Sequence, residues 1–315
     1  MDSSNANEAI FEFFPFLRIH QDGQVERLLG TDVVPSSVDT QTNVSSKDIV
    51  IDPETGLSAR IYLPEITNPS QKLPLLIYFH GGGFCIESAF SPTYHNYLNL
   101  MVSKANIVVM SVNYRLAPEF PLPIGFNDSW AAIHWVARHS STESWLRDYV
   151  DFDRVFLGGD SAGGNIAHNM AIRAGDNEHE QKLPDSMNIL GVVLFHPYFW
   201  GEKRIGSEDV ASPQITTKLM TDMWIFATSK NTGIDDPHIN PFVATAPSLS
   251  QLGCRRVLVF IAEKDVLRDR GQLYYEILKK SGWRGNVEIM EIEGEDHVFH
   301  IFNPTSNAFF ASSRE

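Results

Sequence analysis

The sequence predicts an α/β fold in which a mostly parallel central sheet is flanked by helices. Apolar strand-like runs alternate with amphipathic helix-like runs along most of the 315 residues, a pattern typical of parallel sheets that are covered on both faces. A Gly-Asp-Ser-Ala-Gly pentapeptide at 159–163 lies between one such strand and one such helix. Polar residues also follow several predicted strands at their carboxyl ends, where the ligands of such sheets bind.

The predicted elements follow the chain in a regular order. Two strands, 49–51 and 59–63, are joined by a turn-forming segment and start the sheet as a hairpin. The later strands are predicted at 75–79, 107–112, 154–158, 190–195, 257–261 and 287–292, and the helices at 94–104, 128–138, 164–173, 216–229 and 270–281. We expect residues 1–315 to form a single domain.

Two segments interrupt this alternation, and we expect them to form a cap over the sheet. Residues 1–45 are rich in aromatic side chains and show no periodicity of a helix or a core strand, apart from a hairpin-turn signal at Asp22-Gly23. Residues 200–250 are rich in Pro, Asp and Ser. The aromatic N-terminus and three further side chains are candidates for the pocket lining: Phe84, Trp200 and Trp224.

The composition excludes several classes of partner. A net charge of −14 disfavours nucleic acids and anionic membranes, which bind basic patches. Two cysteines form neither a disulfide framework nor a metal-ligand cluster, and no apolar run reaches the roughly 20 residues of a membrane span. With no signal-peptide pattern at the N-terminus, we expect a cytoplasmic protein without metal or cofactor, a monomer or weak dimer, that binds a small molecule.

The pentapeptide at 159–163 has the G-x-S-x-G pattern of a nucleophile elbow, a sharp turn from a strand into a helix. A serine at such a turn adopts a strained backbone conformation, and small neighbours let strand and helix approach closely. The turn exposes the hydroxyl group and directs the unpaired N–H groups of the helix at a bound molecule. Because the pattern also occurs in ordinary glycine-rich turns, Ser161 is predicted as a nucleophile only if the chain supplies a base, an acid and oxyanion donors.

Two later loops supply the base and the acid. A serine hydroxyl is a weak nucleophile unless a histidine, held in one tautomer by an acid, takes its proton. In this type of sheet the order along the chain is serine, acid, histidine. Asp265 is the predicted acid, with Glu263 and Asp269 as alternates, although a helix N-cap is the other interpretation of Asp265. His297 is the predicted base, and His300 is expected in the helical turn that follows.

The glycine-rich segment 80–83 follows a buried strand and is the predicted oxyanion loop. Backbone N–H groups that carry no bulky side chain can approach the negatively charged oxygen of a tetrahedral intermediate closely. We predict that Gly82, Gly83 and Ala162 are the donors. His80 is expected to anchor the loop by hydrogen bonding and not to act as a base.

Four segments carry a specific set of motifs: His-Gly-Gly-Gly-Phe at 80–84, Tyr-Arg-Leu-Ala-Pro-Glu at 114–119, Gly-Asp-Ser-Ala-Gly-Gly-Asn at 159–165 and Glu-Asp-His-Val-Phe-His at 295–300. Together they resemble the plant carboxylesterase family, in the hormone-sensitive-lipase branch of the α/β-hydrolases. The similarity extends from about Phe16 to Asn303. It implies an α/β-hydrolase fold, a cap from the N-terminus and residues 200–250, and hydrolysis of small carboxylic esters.

The same family contains proteins that do not hydrolyse esters, and two alternatives follow. Gibberellin receptors resemble this chain but lack the catalytic histidine, which is present here as His297. Isoflavanone dehydratases also resemble it, and some carry threonine at the nucleophile position, where this chain has Ser161. A dehydratase would use His297 as a base for elimination, and a hormone-binding protein is the less favoured alternative. For the esterase we expect a preference for short acyl chains, because a capped pocket without a long apolar channel limits their length.

Overall fold

Two β-sheets organise the part of the chain that the computed structural model describes, which comprises residues 9–68, 70–176, 182–184, 187–209, 214–229 and 232–304. The smaller sheet contains the antiparallel strands β1 (Ala9–Phe13), β2 (Leu17–His20) and β3 (Val25–Arg27). The larger sheet contains β4 (Ser45–Asp52), β5 (Leu57–Leu63), β6 (Leu73–Phe79), β7 (Val108–Asn113), β8 (Val150–Asp160), β9 (Ile189–Phe195), β10 (Arg256–Ala262) and β11 (Asn286–Ile292).

The larger sheet is mostly parallel, as the alternation of strands and helices predicts. Its strands lie in the order β11-β10-β9-β8-β6-β7-β5-β4, and only β5 runs against the others. β4 and β5 form the predicted hairpin, although β4 extends beyond residues 49–51 because it pairs with β5 along nearly its whole length. The loops that follow β6, β8, β9, β10 and β11 therefore meet at one edge of the sheet.

Helices cover both faces of this sheet. They are α1 (Pro92–Ala105), α2 (Ile124–His139), α3 (Ser144–Tyr149), α4 (Ala162–Gly175), α5 (Gln214–Ala227), α6 (Arg268–Lys280) and α7 (Phe299–Phe302). Leu75 and Ile77 of β6 belong to a buried cluster with residues of α2, α4 and α6, whereas Leu76 and Tyr78 belong to a second cluster with residues of α1 and α7. Because side chains alternate along a strand, the two clusters lie on opposite faces.

Two helix starts show where local signals succeed and fail. α1 begins at Pro92, just before the predicted range 94–104, because Ser91-Pro92 is a helix-start signal: the Ser91 hydroxyl accepts the Tyr94 N–H at 3.4 Å, and Pro92 occupies the first turn, where no backbone donor is required. α2 begins before the predicted Asp128, because the Asp128 carboxylate accepts hydrogen bonds from the backbone and the guanidinium of Arg115. That carboxylate therefore holds a distant loop and caps no helix.

The N-terminal segment contains more regular structure than its sequence predicts. The turn at Asp22-Gly23 does connect β2 and β3, but β1 has no counterpart in the sequence pattern. Its residues do not alternate, because Phe13 is buried whereas Ile10 and Phe11 are exposed. A strand that contacts the rest of the protein along only part of one face leaves no period in the sequence.

The smaller sheet packs on α5. The rings of Phe11 and Phe13 stack on Phe226 with centroid distances of 5.3 and 5.5 Å. We call residues 9–34 together with α5 the cap, and the large sheet with its other helices the body.

Candidate active site

Ser161 occupies a strained turn between β8 and α4. Its φ of 51° and ψ of −116° are values that a non-glycine residue rarely adopts, at a cost of about 1–3 kcal/mol. The Ser161 N–H donates to the Phe195 carbonyl at 2.9 Å, and the Tyr198 N–H donates to the Ser161 carbonyl at 2.9 Å. A Cβ atom at Gly163 would come within 1.9 Å of the Phe79 carbonyl oxygen. The strained turn and the close strand–helix approach that the pentapeptide predicts are therefore confirmed.

The structure brings the three side chains predicted for catalysis into one chain of hydrogen bonds. His297 Nε2 lies 3.0 Å from Ser161 Oγ, and His297 Nδ1 lies 2.8 Å from Asp265 Oδ2. A carboxylate only accepts, so Nδ1 carries the proton and Nε2 is left to accept from the serine hydroxyl. This is the tautomer in which an imidazole can take the proton of an attacking hydroxyl group.

Asp265 is buried, and each of its oxygens has its own partner. Oδ1 accepts the Leu267 N–H at 2.9 Å, immediately before α6 begins, whereas Oδ2 accepts from His297. The N-cap of α6 is Leu267, without a side-chain cap, so the N-cap interpretation of Asp265 is wrong, whereas its contact with His297 is the one predicted for an orienting acid. The hydrogen bond to the backbone fixes the carboxylate plane, and hence the direction in which the imidazole is held.

The alternates for the acid bind other groups. Glu263 accepts the Gly294 N–H at 2.7 Å. Asp269 accepts the N–H and the hydroxyl of Ser207 at 2.5 and 2.6 Å. His300 lies in α7, as predicted, and is buried.

The surroundings of His297 favour its protonated form. Burial lowers the pKa of His297, but the charge and hydrogen bond of Asp265, with smaller effects of Asp160 and Asp296, outweigh burial and raise the pKa above its ordinary value of 6.5. A base whose pKa lies closer to neutrality accepts a proton more readily in a transition state. Because the pKa of His297 is raised, acidification protonates the neutral imidazole at a higher pH than it would an ordinary histidine.

The predicted oxyanion donors lie around Ser161. Gly82 and Gly83 line the same cavity as Ser161, and their N–H groups donate to no other described backbone group. Ala162 is the first residue of α4, where the N–H groups have no partner inside the helix. Gly83 has a φ of +59°, and a Cβ atom there would lie 1.9 Å from Met223 Sδ of α5. A larger residue at this position would have to displace the Met223 side chain and keep a left-handed backbone conformation.

Two tyrosines and a second carboxylate support the oxyanion loop. Asp160, directly before Ser161, is buried and accepts hydrogen bonds from Tyr78 at 2.7 Å and from Tyr94 at 2.8 Å. The Tyr94 oxygen in turn accepts the Gly81 N–H at 2.7 Å. Burial raises the pKa of Asp160 to about 6, although both tyrosine hydroxyls lower it. The Gly81 N–H is therefore already bound to Tyr94 and is not available as an oxyanion donor.

His80 anchors the same loop, as predicted. Its Nδ1 lies 2.9 Å from the Gly81 carbonyl oxygen, and its ring stacks on Tyr114 at 4.3 Å. Burial lowers the pKa of His80 to about 4, so that the ring is neutral and Nδ1–H is the donor.

A second histidine, His196, was not identified from the sequence. It is buried directly after β9, and its Nδ1 accepts the Val298 N–H at 2.7 Å. Burial lowers the pKa of His196 well below its usual range, so its 3.7 Å separation from Asp265 Oδ2 is a contact and not an ion pair. Val298 has a φ of 48°, and His196 therefore holds the strained residue next to His297. Its position at a strand end is the signal that could have identified it.

Three of these groups lie close enough together to consider a metal ion. The ligand atoms of His196, Asp265 and His297 lie within 4.8 Å of one another. The Nδ1 atoms of both histidines are engaged, one by the Val298 N–H and the other by Asp265. A metal ion at these atoms would require both hydrogen bonds to break, so the donor set does not fit a resident metal.

A cavity of about 520 Å³ lies above Ser161. The body contributes its oxyanion loop and His297, and the cap contributes apolar side chains: Phe16, Leu28, Leu29, Met220 and Met223. The interpretation of Phe84, Trp200 and Trp224 as lining is wrong. All three are buried away from the cavity, since Phe84 packs against Trp224 at 5.9 Å and Trp200 lies under the guanidinium of Arg270 at 5.2 Å.

The chain belongs to the α/β-hydrolases. A family model described as the alpha/beta hydrolase fold matches residues 76–301, which include the oxyanion loop, the elbow and the loops of Asp265 and His297. The curated relatives define a plant branch of that class. "Probable carboxylesterase 2" of Arabidopsis thaliana is 48% identical over 96% of this chain and 93% of its own length. A protein named 2-hydroxyisoflavanone dehydratase in Glycyrrhiza echinata is 46% identical, with the same two coverages.

Solved structures of esterases share the fold. A hyperthermophilic esterase from the archaeon Pyrobaculum calidifontis matches with a TM-score of 0.70 and 30% identity, over 85% of this chain and 82% of that one. A thermostable carboxylesterase from a metagenomic library matches with a TM-score of 0.70 and 29% identity, over 89% and 87% of the two chains. In the described part of this chain, no helix is both long and apolar enough to span a bilayer.

Proposed function

We propose that this protein is a serine carboxylesterase that hydrolyses small, short-acyl carboxylic esters through an acyl-enzyme intermediate. The observation that carries the proposal is the unbroken series of hydrogen bonds from Ser161 through His297 to Asp265, 3.0 and 2.8 Å long. It starts at a serine that lines a cavity beside Gly82 and Gly83, whose N–H groups donate to no described backbone group. Carboxylesterases among the relatives at 48% and 47% identity support the same assignment.

In the first half-reaction Ser161 Oγ attacks the carbonyl carbon of the ester while His297 Nε2 takes its proton. The negative charge moves to the former carbonyl oxygen, which the N–H groups of Gly82, Gly83 and Ala162 stabilise. The tetrahedral intermediate then collapses, the bond to the alcohol oxygen breaks, and His297 returns its proton to the departing alcohol. The carboxylate of Asp265 stabilises the imidazolium of His297 whenever it forms, and it holds one imidazole proton on Nδ1 throughout.

In the second half-reaction water replaces the alcohol. His297 takes a proton from the water molecule, the hydroxide attacks the acyl-enzyme, and the same N–H groups hold the oxyanion. Collapse releases the carboxylic acid and restores the Ser161 hydroxyl. No step requires a metal or an organic cofactor, because every proton and charge is accommodated by these side chains.

We propose a short-acyl preference because the cap limits the cavity. Met220 and Met223 of α5 and Phe16 of the small sheet lie across it, and the volume of about 520 Å³ is shared by the acyl and alcohol groups. Methionine side chains can adapt to different ligands, so the cavity limits the length of the acyl chain more than its shape.

The cytoplasmic location predicted from the sequence stays a prediction. One relative in Tulipa gesneriana is named chloroplastic.

The second candidate function is a dehydratase, which the relatives named 2-hydroxyisoflavanone dehydratase at 46% and 44% identity favour. In that reaction His297 would remove a proton next to a carbonyl group, and the oxyanion loop would hold the resulting enolate. The enolate would then expel the hydroxyl group on the neighbouring carbon, which takes the proton from His297 and leaves as water. No covalent bond to Ser161 would form. The two functions therefore differ in their dependence on the serine oxygen.

The decisive experiment measures turnover of p-nitrophenyl acetate and butyrate by the wild type and by Ser161→Ala, together with labelling by an organophosphate. We expect Ser161→Ala to lose at least about 10³-fold in kcat and to escape the label that mass spectrometry finds on the wild type. The matched control is Ser250→Ala, an exposed serine. Dehydration of a 2-hydroxyisoflavanone at equal rates by the wild type and Ser161→Ala, with no ester turnover, would favour the dehydratase instead.

A further inference from the structure

One carboxylate in the cavity wall has no part in the proposed mechanism. Glu87 lines the same cavity as Ser161. Its Oε2 atom is buried and forms no hydrogen bond with any described residue. Such an oxygen, removed from water without a donor, costs free energy unless a bound molecule supplies the donor.

The backbone holds Glu87 at this place from two sides. It follows the turn in which the N–H groups of Cys85 and Ile86 donate to the Gly82 carbonyl, so it is joined directly to the oxyanion loop. From the cap, the backbone of Gly30 packs so closely that a Cβ atom there would lie 2.6 Å from the Glu87 nitrogen and 2.9 Å from its carboxyl carbon. Glu87 itself has a φ of 72°, a conformation that an unbranched loop residue rarely keeps without such support.

The protein offers this carboxyl group little compensation. Burial raises the pKa of Glu87, and a side-chain hydrogen bond with Ser91 opposes that effect only in part. The Ser91 hydroxyl also accepts the Tyr94 N–H. No lysine or arginine is found among the described residues that line the cavity. Among the described residues, Oε2 therefore has neither a cation beside it in the cavity lining nor a hydrogen-bond donor.

Its neighbours in the wall indicate the kind of molecule that would supply a donor. Ser91 and Thr93 bring hydroxyl groups to the same cavity, and Thr31 and Asp32 of the cap bring further polar atoms, both exposed. The apolar side chains of the cap lie in the same cavity. The cavity thus combines an apolar surface with a polar region that contains the carboxylates of Asp32 and Glu87.

We infer that Glu87 is a specificity-determining residue that accepts a hydrogen bond from a hydroxyl group of the substrate. The substrates are then esters whose acyl or alcohol part carries a hydroxyl group, and plain alkyl esters are poorer substrates. This inference rests on the proposed esterase function. A site that hydrogen-bonds a substrate hydroxyl discriminates strongly against the analogue that lacks it, because the buried group of the protein then stays unpaired.

Two matched ester pairs test the inference. The first compares p-nitrophenyl 3-hydroxybutyrate with p-nitrophenyl butyrate, which differ only in the acyl part. The second compares 2,3-dihydroxypropyl butyrate with propyl butyrate, which differ only in the alcohol. The readout is the ratio of kcat/KM within each pair, measured for the wild type, Glu87→Ala and Glu87→Gln. The matched control is Glu54→Gln, an exposed residue of the β4–β5 turn.

We expect the wild type to favour the hydroxylated ester in at least one pair. Glu87→Ala removes both oxygens and is expected to lower that ratio about tenfold, because a hydrogen bond to a charged group is lost. Glu87→Gln keeps one neutral acceptor and is expected to lower the ratio about threefold, because uncharged hydrogen bonds are roughly half as strong. Glu54→Gln is expected to keep the ratio of the wild type.

The failure of this inference is distinct from the failure of the esterase function. A wild-type ratio near one in both pairs, or the same ratio in wild type and Glu87→Ala, overturns the role of Glu87 while ester hydrolysis stands. If Glu87→Ala does not fold, as judged by its thermal unfolding, an unchanged ratio in Glu87→Gln has the same consequence. If no ester is turned over at all, the proposed function itself fails.

Discussion

The body and the cap enclose the same cavity but are held in place in different ways. In the body, Ser161, Asp265 and His297 follow strands of one sheet, and backbone hydrogen bonds fix the turns that carry them. In the cap, a three-stranded sheet rests on α5 through stacked rings. Ile10 and Phe14 at its edge remain 65% and 75% exposed. Precise geometry therefore belongs to the body, whereas the cap can change with little effect on the reacting atoms.

One side chain of the small sheet reaches the body directly. Arg27 donates to the Cys85 carbonyl at 2.7 Å, to the Ala117 carbonyl at 3.1 Å, and to both oxygens of Glu119 at 2.7 Å. Cys85 and Ala117 are themselves linked to Phe84 and the oxyanion loop by backbone hydrogen bonds. The cap is thus attached close to the oxyanion loop, although none of its residues has a role in the proposed mechanism. The comparison predicts that body variants lower kcat and that cap variants raise KM.

The largest effect is expected in the body, from Asp265→Asn. The amide leaves the geometry nearly unchanged but can hold His297 in the wrong tautomer, and we expect kcat for p-nitrophenyl butyrate to fall about 10³–10⁴-fold. The controls are the alternates from the sequence, Glu263→Gln and Asp269→Asn, which should stay near the wild type. If either control lost most of its kcat while Asp265→Asn stayed active, the residue changed in that control, and not Asp265, would be the orienting acid.

The next effect is expected where body and cap touch, from Gly83→Ala. The new methyl group meets Met223 Sδ at 1.9 Å and forces a residue with a side chain to keep a φ of +59°. We expect kcat to fall about 10²-fold, the cost of displacing one oxyanion donor.

The double variant Gly83→Ala/Met223→Ala separates the two causes. If kcat is restored in the double variant, the contact with Met223 caused the loss in Gly83→Ala. If kcat is not restored, the strained loop backbone caused it. Met223→Ala alone serves as the reference. A wild-type kcat in Gly83→Ala would show that the loop accommodates the methyl group without displacing its N–H, and would contradict the predicted cost of the contact with Met223.

The pH dependence tests the electrostatics of the body. In the proposed mechanism the neutral form of His297 is the active base, and the pKa of His297 is raised, so kcat/KM should fall on acidification through a pH above 6.5, the ordinary value. Asp160→Asn removes one of the charges that raise this pKa and should move the fall to lower pH. Profiles from about pH 5 to about pH 9 measure it, with Asp153→Asn, exposed on the same strand, as the control. A shift to higher pH would contradict the assignment of His297 as the titrating base.

The smallest effect is expected in the cap, from Arg27→Met. Loss of a bidentate, charge-assisted contact loosens the small sheet over the cavity, and we expect KM to rise about three- to tenfold while kcat stays within about twofold. Arg18→Met is the matched control, because Arg18 pairs with Glu12 and Glu26 inside the small sheet. Equal KM values for Arg27→Met and Arg18→Met, or a fall in kcat for Arg27→Met, would contradict the prediction that cap variants act on KM and body variants on kcat.

The strands and the loops at their ends could be predicted because their signals are local. Apolar runs mark β6 to β11, and glycines mark the turns at 80–83 and 159–163. Asp265 and His297 could be selected because a parallel sheet brings the carboxyl ends of its strands to one edge, whatever the distance along the chain. His196 obeys the same rule at the end of β9.

The environment of each side chain, in contrast, was decided only by tertiary structure. Phe84, Trp200 and Trp224 are large and apolar and lie near the site in sequence or in space, yet they fill the core because neighbours distant in sequence bury them. Glu87 is an ordinary glutamate in the sequence, but in the folded chain Gly30 packs against it, and one of its carboxylate oxygens is buried in the cavity wall without a described donor. Periodicity and turn chemistry are encoded by adjacent residues, whereas burial and pairing depend on segments that meet only in the folded chain.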